Sequence, residues 1–256
     1  MCVSIVRPLS LVCLLLLSAL TSAGTIDRTA DADQYLRLLQ SDRDYVRLQV
    51  IKELGWVGIT DPRLFDLVAD RVEAEAFGRL DEARLSVMYW GVLALAGSGA
   101  EEYVPLLNRL VEDAAQSEIK AAAAQAIAHM PVARQWNLII NDDSRVNSVI
   151  PPFIVMFLNM LNADDLALKK LALEQIQLEG LSNQYVLDDI AGQIRSNYSN
   201  NSTEEIWVET VTLACRVLIE IGGSGYVDVV KAVARKSPNA ELRHAVKKVL
   251  RDSSKK

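Results

Sequence analysis

The chain has 256 residues, of which 27 are Lys or Arg and 33 are Asp or Glu, for a formal net charge of −6, and half of its residues are hydrophobic. That acidic balance excludes nucleic acid as the expected ligand. Three cysteines and two histidines leave little material for a disulfide framework or a histidine-rich metal centre.

Residues 1–23, MCVSIVRPLSLVCLLLLSALTSA, carry one early positive charge at Arg7, then an apolar run, then Thr21 and Ala23 at the −3 and −1 places before Gly24. This is the anatomy of a secretory signal peptide cut after Ala23. An uncleaved anchor is the alternative, although Leu9–Leu20 is short for a membrane span. A lipoprotein cut needs a small residue before its cysteine, and Val12 precedes Cys13. The expectation is a periplasmic or secreted protein whose mature chain, 24–256, has no transmembrane span: Val149–Leu161 is too short and carries Pro151-Pro152. Losing the leader gives 26 − 33 = −7 and leaves Cys215 as the only cysteine. Cys215 lies on an apolar helical stripe with Trp207, Val211, Ala214 and Leu218, which reads as a small buried hydrophobe.

Helical periodicity dominates the mature chain. Val46, Val50 and Leu54 share a helical face, and Leu85, Met88, Tyr89, Val92, Leu93 and Ala96 fall at i, i+3, i+4, i+7, i+8 and i+11. The segments 44–72, 81–111 and 204–234 each start acidic, run through a striped helix, reach a small or glycine-containing turn and enter a second striped helix. Weaker copies occupy 117–140, where Met130-Pro131 stands in place of glycine, and 163–194. Residues 239–250 form a final half-repeat. Basic residues early in the first helices act as a ruler: Arg47, Arg84, Lys120 and Lys169 are 37, 36 and 49 apart, and two further intervals reach Arg243. The long interval holds an apparent insert, 141–162.

Gly97-Ser98-Gly99 and Gly222-Gly223-Ser224-Gly225 fall at the turn of two repeats, and Gly55-Trp56-Val57-Gly58 fills it in a third. Glycine there supplies the positive φ that ends a helix. No preceding strand and no Lys-Ser/Thr accompanies these loops, and Glu101-Glu102 would repel phosphate, so they read as punctuation rather than nucleotide cradles.

Helix pairs of about 37 residues with an acidic start, "VR" or "LR" early and "LG" or "AG" at the end resemble the short bacterial HEAT-like repeats. The resemblance covers about 44–250. It implies an all-α, right-handed α-solenoid of about five helix pairs plus a C-terminal capping helix, in a single domain over 24–256. The repeats would span about 44–75, 81–114, 117–140, 163–195 and 204–236, with a half-unit at 239–251. It also implies a scaffold that binds another protein or peptide on a concave face. The recurring basic residues would then be structural, in ladders with acids of the next repeat. Some relatives of these repeats are lyases that attach bilin pigments, so a chromophore-handling enzyme stands as the alternative.

No catalytic, cofactor or metal set emerges from the residues. Glu241-x-x-His244 occurs once, among cations. The pairs Asp142-Asp143, Asp164-Asp165 and Asp188-Asp189 lack a calcium-loop pattern, and the first two suit helix starts. Three overlapping sequons at Asn197, Asn200 and Asn201 lie in a polar linker. Candidate partner contacts are Phe153 and Phe157, in the apolar run 147–161 that is otherwise expected to be core, and Lys247, Lys248 and Arg251. The last three lie in a segment, 231–256, with nine basic residues against Glu241 and Asp252, which allows a weak contact with an anionic envelope surface. Trp56, Trp90, Trp136 and Trp207 each fall in or beside a repeat helix and are expected in the core first.

Overall fold

The computed structural model describes residues 29–146 and 149–253, so the expected leader and its cut after Ala23 lie outside the described residues. Twelve α-helices and two short 3-10 turns make up the described chain, with no strand among these residues. They fall into two compact units that part between Asp143 and Ser144. Each unit holds six helices.

The first unit comprises α1 (Thr29–Leu39), α2 (Asp44–Leu54), α3 (Pro62–Glu75), α4 (Glu82–Gly97), α5 (Val104–Asp113) and α6 (Ser117–Ile140). Helices α2, α4 and α6 stack side by side in one row, while α1, α3 and α5 each pack on the helix that follows. This neighbour-on-neighbour stacking of helix pairs is α-solenoid packing. The starts follow from sequence. Asp61 accepts from the Arg63 N–H at 3.0 Å with Pro62 at the first helical position, and Asp81 accepts from the Arg84 N–H at 2.9 Å. The apolar stripes close over Ile51, Leu54, Phe65, Val72, Val92 and Leu107, all buried. Each such side chain contributes about 1.5–3 kcal/mol by leaving water.

Helix α6 departs from expectation. The segment 117–140 is not a helix pair broken at Met130-Pro131 but one helix of 24 residues with Pro131 inside it. Proline removes one N–H from the helical ladder and usually kinks or ends the run. Here the residues beyond it are held from outside. The Arg134 Nε donates to the Gly99 carbonyl at 3.0 Å, and the Asn137 amide donates to the Gly97 and Ser98 carbonyls at 2.9 and 3.1 Å. The Asn141 amide donates to the Gly58 carbonyl at 2.6 Å. One helix end thus fastens the turns that follow both α2 and α4.

The second unit comprises α7 (Pro152–Asn162), α8 (Leu166–Glu179), α9 (Gln184–Asn197), α10 (Glu205–Glu220), α11 (Val227–Lys236) and α12 (Ala240–Ser253). Its row is α8, α10 and α12, with α7, α9 and α11 each packed on the next helix. The supposed insert 141–162 supplies α7, an ordinary member of this unit. Pro152 at its first position needs no hydrogen-bond partner there, and every residue from Ile154 to Leu161 is buried. An all-round apolar helix is stable because neighbours cover it on several sides. Cys215 on α10 is buried and unbridged, as its stripe implied.

The two units repeat each other at a longer period than the 37-residue ruler shows. Corresponding residues lie 122 or 123 positions apart. The Tyr103 hydroxyl donates to Asp66 at 2.9 Å, and the Tyr226 hydroxyl donates to Asp188 at 2.8 Å (188 − 66 = 122; 226 − 103 = 123). The Gln116 side chain donates to the Leu80 carbonyl at 3.4 Å, as Asn239 donates to the Ser202 carbonyl at 2.7 Å. Asp61 and Asn183 cap equivalent helices, and Gly58 and Gly180 both take positive φ. The second unit thus repeats the six-helix order of the first.

Candidate functional site

At Gly97-Ser98-Gly99 the polar groups are already spoken for. The Ser98 N–H donates to Ala94 at 3.3 Å, the Gly99 N–H to Ala96 at 3.0 Å, and the Ala100 N–H to the Ser98 hydroxyl at 3.1 Å. Arg134 and Asn137 occupy the three carbonyls. Gly97 is required by crowding: a Cβ there would sit 2.7 Å from the Gly55 Cα and 2.8 Å from the Leu54 carbonyl oxygen. Gly99 adds a φ of +68°. The loop is a packing joint.

The acidic pairs are engaged in structure as well. Asp165 caps α8 by accepting from the Ala167 and Leu168 N–H groups at 2.8 and 3.1 Å. Asp188 accepts from Gln184 and Tyr226, which hold its carboxyl below the usual carboxylate range. Burial first, and the facing Asp188 second, push the Tyr226 phenol up. Asp189 accepts from the Asn162 and Gln193 amides. Asp142 and Asp143 follow the end of α6 and start no helix. Among the described residues no three His, Cys, Asp or Glu side chains are placed to hold a metal ion. Nor is any helix there long and apolar enough to cross a membrane.

The partner candidates separate. Phe153 is half-buried and meets Phe157 edge-on, with ring centroids 5.1 Å apart. Phe157 is fully buried and belongs to the core of the second unit, so it offers nothing to a partner. Its position aligns with buried Tyr35, 122 residues earlier, which explains why this aromatic faces inward. Lys247, Lys248 and Arg251 are all exposed on α12 at i, i+1 and i+4, with His244 on the same face; Arg251 reaches Asp252 at 3.7 Å. Lys255 and Lys256 lie outside the described residues. Asn200 and Asn201 are exposed in the loop after α9, and Asn197 ends that helix.

Among the described residues the basic ruler makes no ladders to the next repeat. Arg47 donates to the Ser41 carbonyl at 2.5 Å and Arg243 to the Ser237 carbonyl at 2.6 Å, each tying a helix to the turn before it, and Lys120 donates to the Glu112 carbonyl at 2.5 Å, in the last turn of α5. Arg84 reaches Asp81 at its own helix start. The cross-helix pair is one residue removed, Lys170 to Glu209 at 2.5 Å between α8 and α10.

Only Trp207 among the four tryptophans is buried. Trp56, Trp90 and Trp136 remain partly exposed, on or just after the three helices of the first unit's row. The Lys52 ammonium sits 5.1 Å over the Trp90 ring, Tyr89 meets Trp90 edge-on at 5.6 Å, and His129 meets Trp136 at 5.1 Å. No motif in the sequence singles out Lys52. The 37-residue shift that carries Arg47 onto Arg84 carries Lys52 onto Tyr89, beside Trp90, and that was the signal available.

Each unit also holds a cleft among its first four helices, about 70 Å³ in the first and about 60 Å³ in the second. Their aliphatic walls correspond, with Leu39 matched by Leu161, Ile51 by Leu173 and Val72 by Ile194. Among the polar lining residues Arg47 is matched by Lys169 and Arg71 by Gln193.

No family model matches this sequence, and no curated protein matches it. Among solved structures, it is similar to human deoxyhypusine hydroxylase in complex with glycerol, at 12% identity and a TM-score of 0.35, covering 88% of this chain and 84% of that one.

Proposed function

We propose that this chain is an exported, non-catalytic helical-repeat scaffold that binds another protein or peptide along the α2–α4–α6 row. The observation that carries the reading is the set of partly exposed tryptophans there, Trp56, Trp90 and Trp136, backed by Tyr89 and a cation at Lys52. Tryptophan is costly to leave in water, and it is among the residues most enriched at the energetic centres of interfaces. Asp165, Asp188, Asp189, Tyr103 and Tyr226, which could do chemistry, are instead hydrogen-bonded within the fold. The leader is the support for export, and it predicts a mature protein beginning at Gly24, readable by N-terminal sequencing of protein recovered from the envelope or medium.

The test is crosslinking of residues 24–256 in envelope extract, beside a Trp90→Ala/Trp136→Ala variant of unchanged helicity. One protein captured reproducibly by the parent and lost by the variant supports the scaffold. Capture that the variant leaves intact removes the α2–α4–α6 row from the reading.

The exposed basic face of α12 favours a second reading, a weak contact with an anionic envelope surface. Salt-sensitive binding to phosphatidylglycerol vesicles, abolished by Lys247→Glu with Lys248→Glu, is its expected signature. No binding at low salt ends it.

A further inference from the structure

The two clefts differ in one instructive respect. Arg47 has structural partners of its own, the Ser41 carbonyl and the Asp44 carboxylate. In the second unit the positions 122 residues on from Ser41 and Asp44 are Ala163 and Leu166. The second unit has no carboxylate at that position, and the cation there is Lys169, partly buried at the cleft, whose ammonium makes no hydrogen bond or ion pair among the described residues. Elsewhere charge does not correspond between the units: Lys52 aligns with Glu174 and Arg63 with Tyr185. A positive charge lining an apolar slot with no internal partner is the arrangement that receives an anion from outside.

Size fixes the rest of the ligand. An apolar cavity of about 150 Å³ accepts a benzene ring. Clefts of about 60 and 70 Å³ are less than half of that, and suit the branched end of a Val or Leu side chain. Their openings are partly exposed, through Leu67 and Arg71 in the first and through Gln193 and Asn197 in the second.

We propose that the two clefts are a matched pair of recognition slots, each taking one aliphatic side chain adjacent to a carboxylate on a partner polypeptide, so that one chain binds two copies of the same short acidic-aliphatic motif. This rests on the scaffold reading above and names the partner's chemistry. Each slot buries the aliphatic group against Leu39, Ile51 and Val72, or against Leu161, Leu173 and Ile194. The carboxylate then pairs with Lys169 in the second slot, and in the first it joins Asp44 on the Arg47 guanidinium, whose remaining N–H groups are the donors left to it.

The probe is a Gly-Ser peptide of twelve residues with a central Asp-Leu, titrated into residues 24–256. The Met88 and Val211 methyl resonances report the first and second clefts respectively. Both methyls should shift with a stoichiometry of two peptides per chain, and Lys-Leu and Asp-Phe peptides should bind at least tenfold more weakly. Arg47→Glu should abolish the Met88 response alone, and Lys169→Glu the Val211 response alone. Should Arg47→Glu fail to fold, Lys169, which has no internal bond to lose, decides the matter by itself. Silence of both methyls at millimolar Asp-Leu peptide, or shifts that survive Lys169→Glu, overturns the proposal. The scaffold test reads Trp90 and Trp136 and this one reads Arg47 and Lys169, so either can fail while the other stands.

Discussion

The Tyr226 hydroxyl donates to the Asp188 carboxylate at 2.8 Å, tying the turn before α11 to the middle of α9. The same bond, Tyr103 to Asp66 at 2.9 Å, ties the turn before α5 to α3. A buried tyrosine that keeps its apolar ring in the core and spends its hydroxyl on a neighbouring helix fixes the spacing of successive second helices. Tyr226→Phe and Tyr103→Phe should each lower stability by about 1 kcal/mol, since both acceptors are solvent-exposed and partly compensated by water. Chemical denaturation should show no change in m for either variant.

Asp188 makes the pH dependence testable. Its carboxyl is held low by Gln184 first and Tyr226 second, so the folded protein releases that proton more readily than the unfolded chain does. The stabilisation is therefore fully present above the unfolded carboxylate pKa of about 3.9 and is lost as pH falls through the lower folded value. Carbon-detected NMR titration should place Asp188 lowest in the parent and closer to its ordinary value in Tyr226→Phe. An unchanged titration would remove Tyr226 as a cause.

Two glycine substitutions should move in opposite directions. Gly97→Ala drives a methyl into the Gly55 backbone, which cannot yield as a side chain would, and should cost about 1–3 kcal/mol. Gly192→Ala, inside α9 with nothing near its Cβ, should gain about 0.5–1 kcal/mol from helix propensity. Thermal unfolding of both in parallel checks crowding against simple glycine content.

Asn137→Ala strips two buried carbonyls, those of Gly97 and Ser98, of a donor and should cost about 1–3 kcal/mol. Because the same helix end also holds Gly58 and Gly99, amide exchange should quicken at both turns rather than at one.

Phe157→Ala should cost about 3–5 kcal/mol, as expected of a fully buried ring, and Phe153→Ala clearly less. Equal costs would mean that the half-buried Phe153 carries as much packing as its neighbour.

Much of this architecture is legible in residues 44–250. The stripes on α2 and α4, the caps at Asp61, Asp81 and Asp165 and the punctuating role of Gly97–Gly99 all follow from spacing and side-chain chemistry. Pro131 misleads because a local rule for ending helices ignores the distant carbonyls that Arg134 and Asn137 engage. The apolar run in α7 looks like an insert because a helix covered on all sides has no polar face to mark its period. The 122-residue repeat hides because its matches are kept in kind rather than identity: Tyr35 with Phe157, Arg47 with Lys169, Asp61 with Asn183. The tryptophans mislead differently. Composition rules send large aromatics inward, and only the packing of the α2–α4–α6 row shows which side of each helix is left uncovered.

Cys215 offers a use that none of these arguments requires. It is the one sulfhydryl beyond residue 23, it lies deep in α10, and burial pushes its thiol up to about 12. A thiol so enclosed and so rarely ionised does not meet an alkylating reagent until the helices around it part. Its labelling rate is thus a clock for the parting of the second unit's helices. Nature has left one half of a doubled molecule carrying a tamper seal and the other half without one.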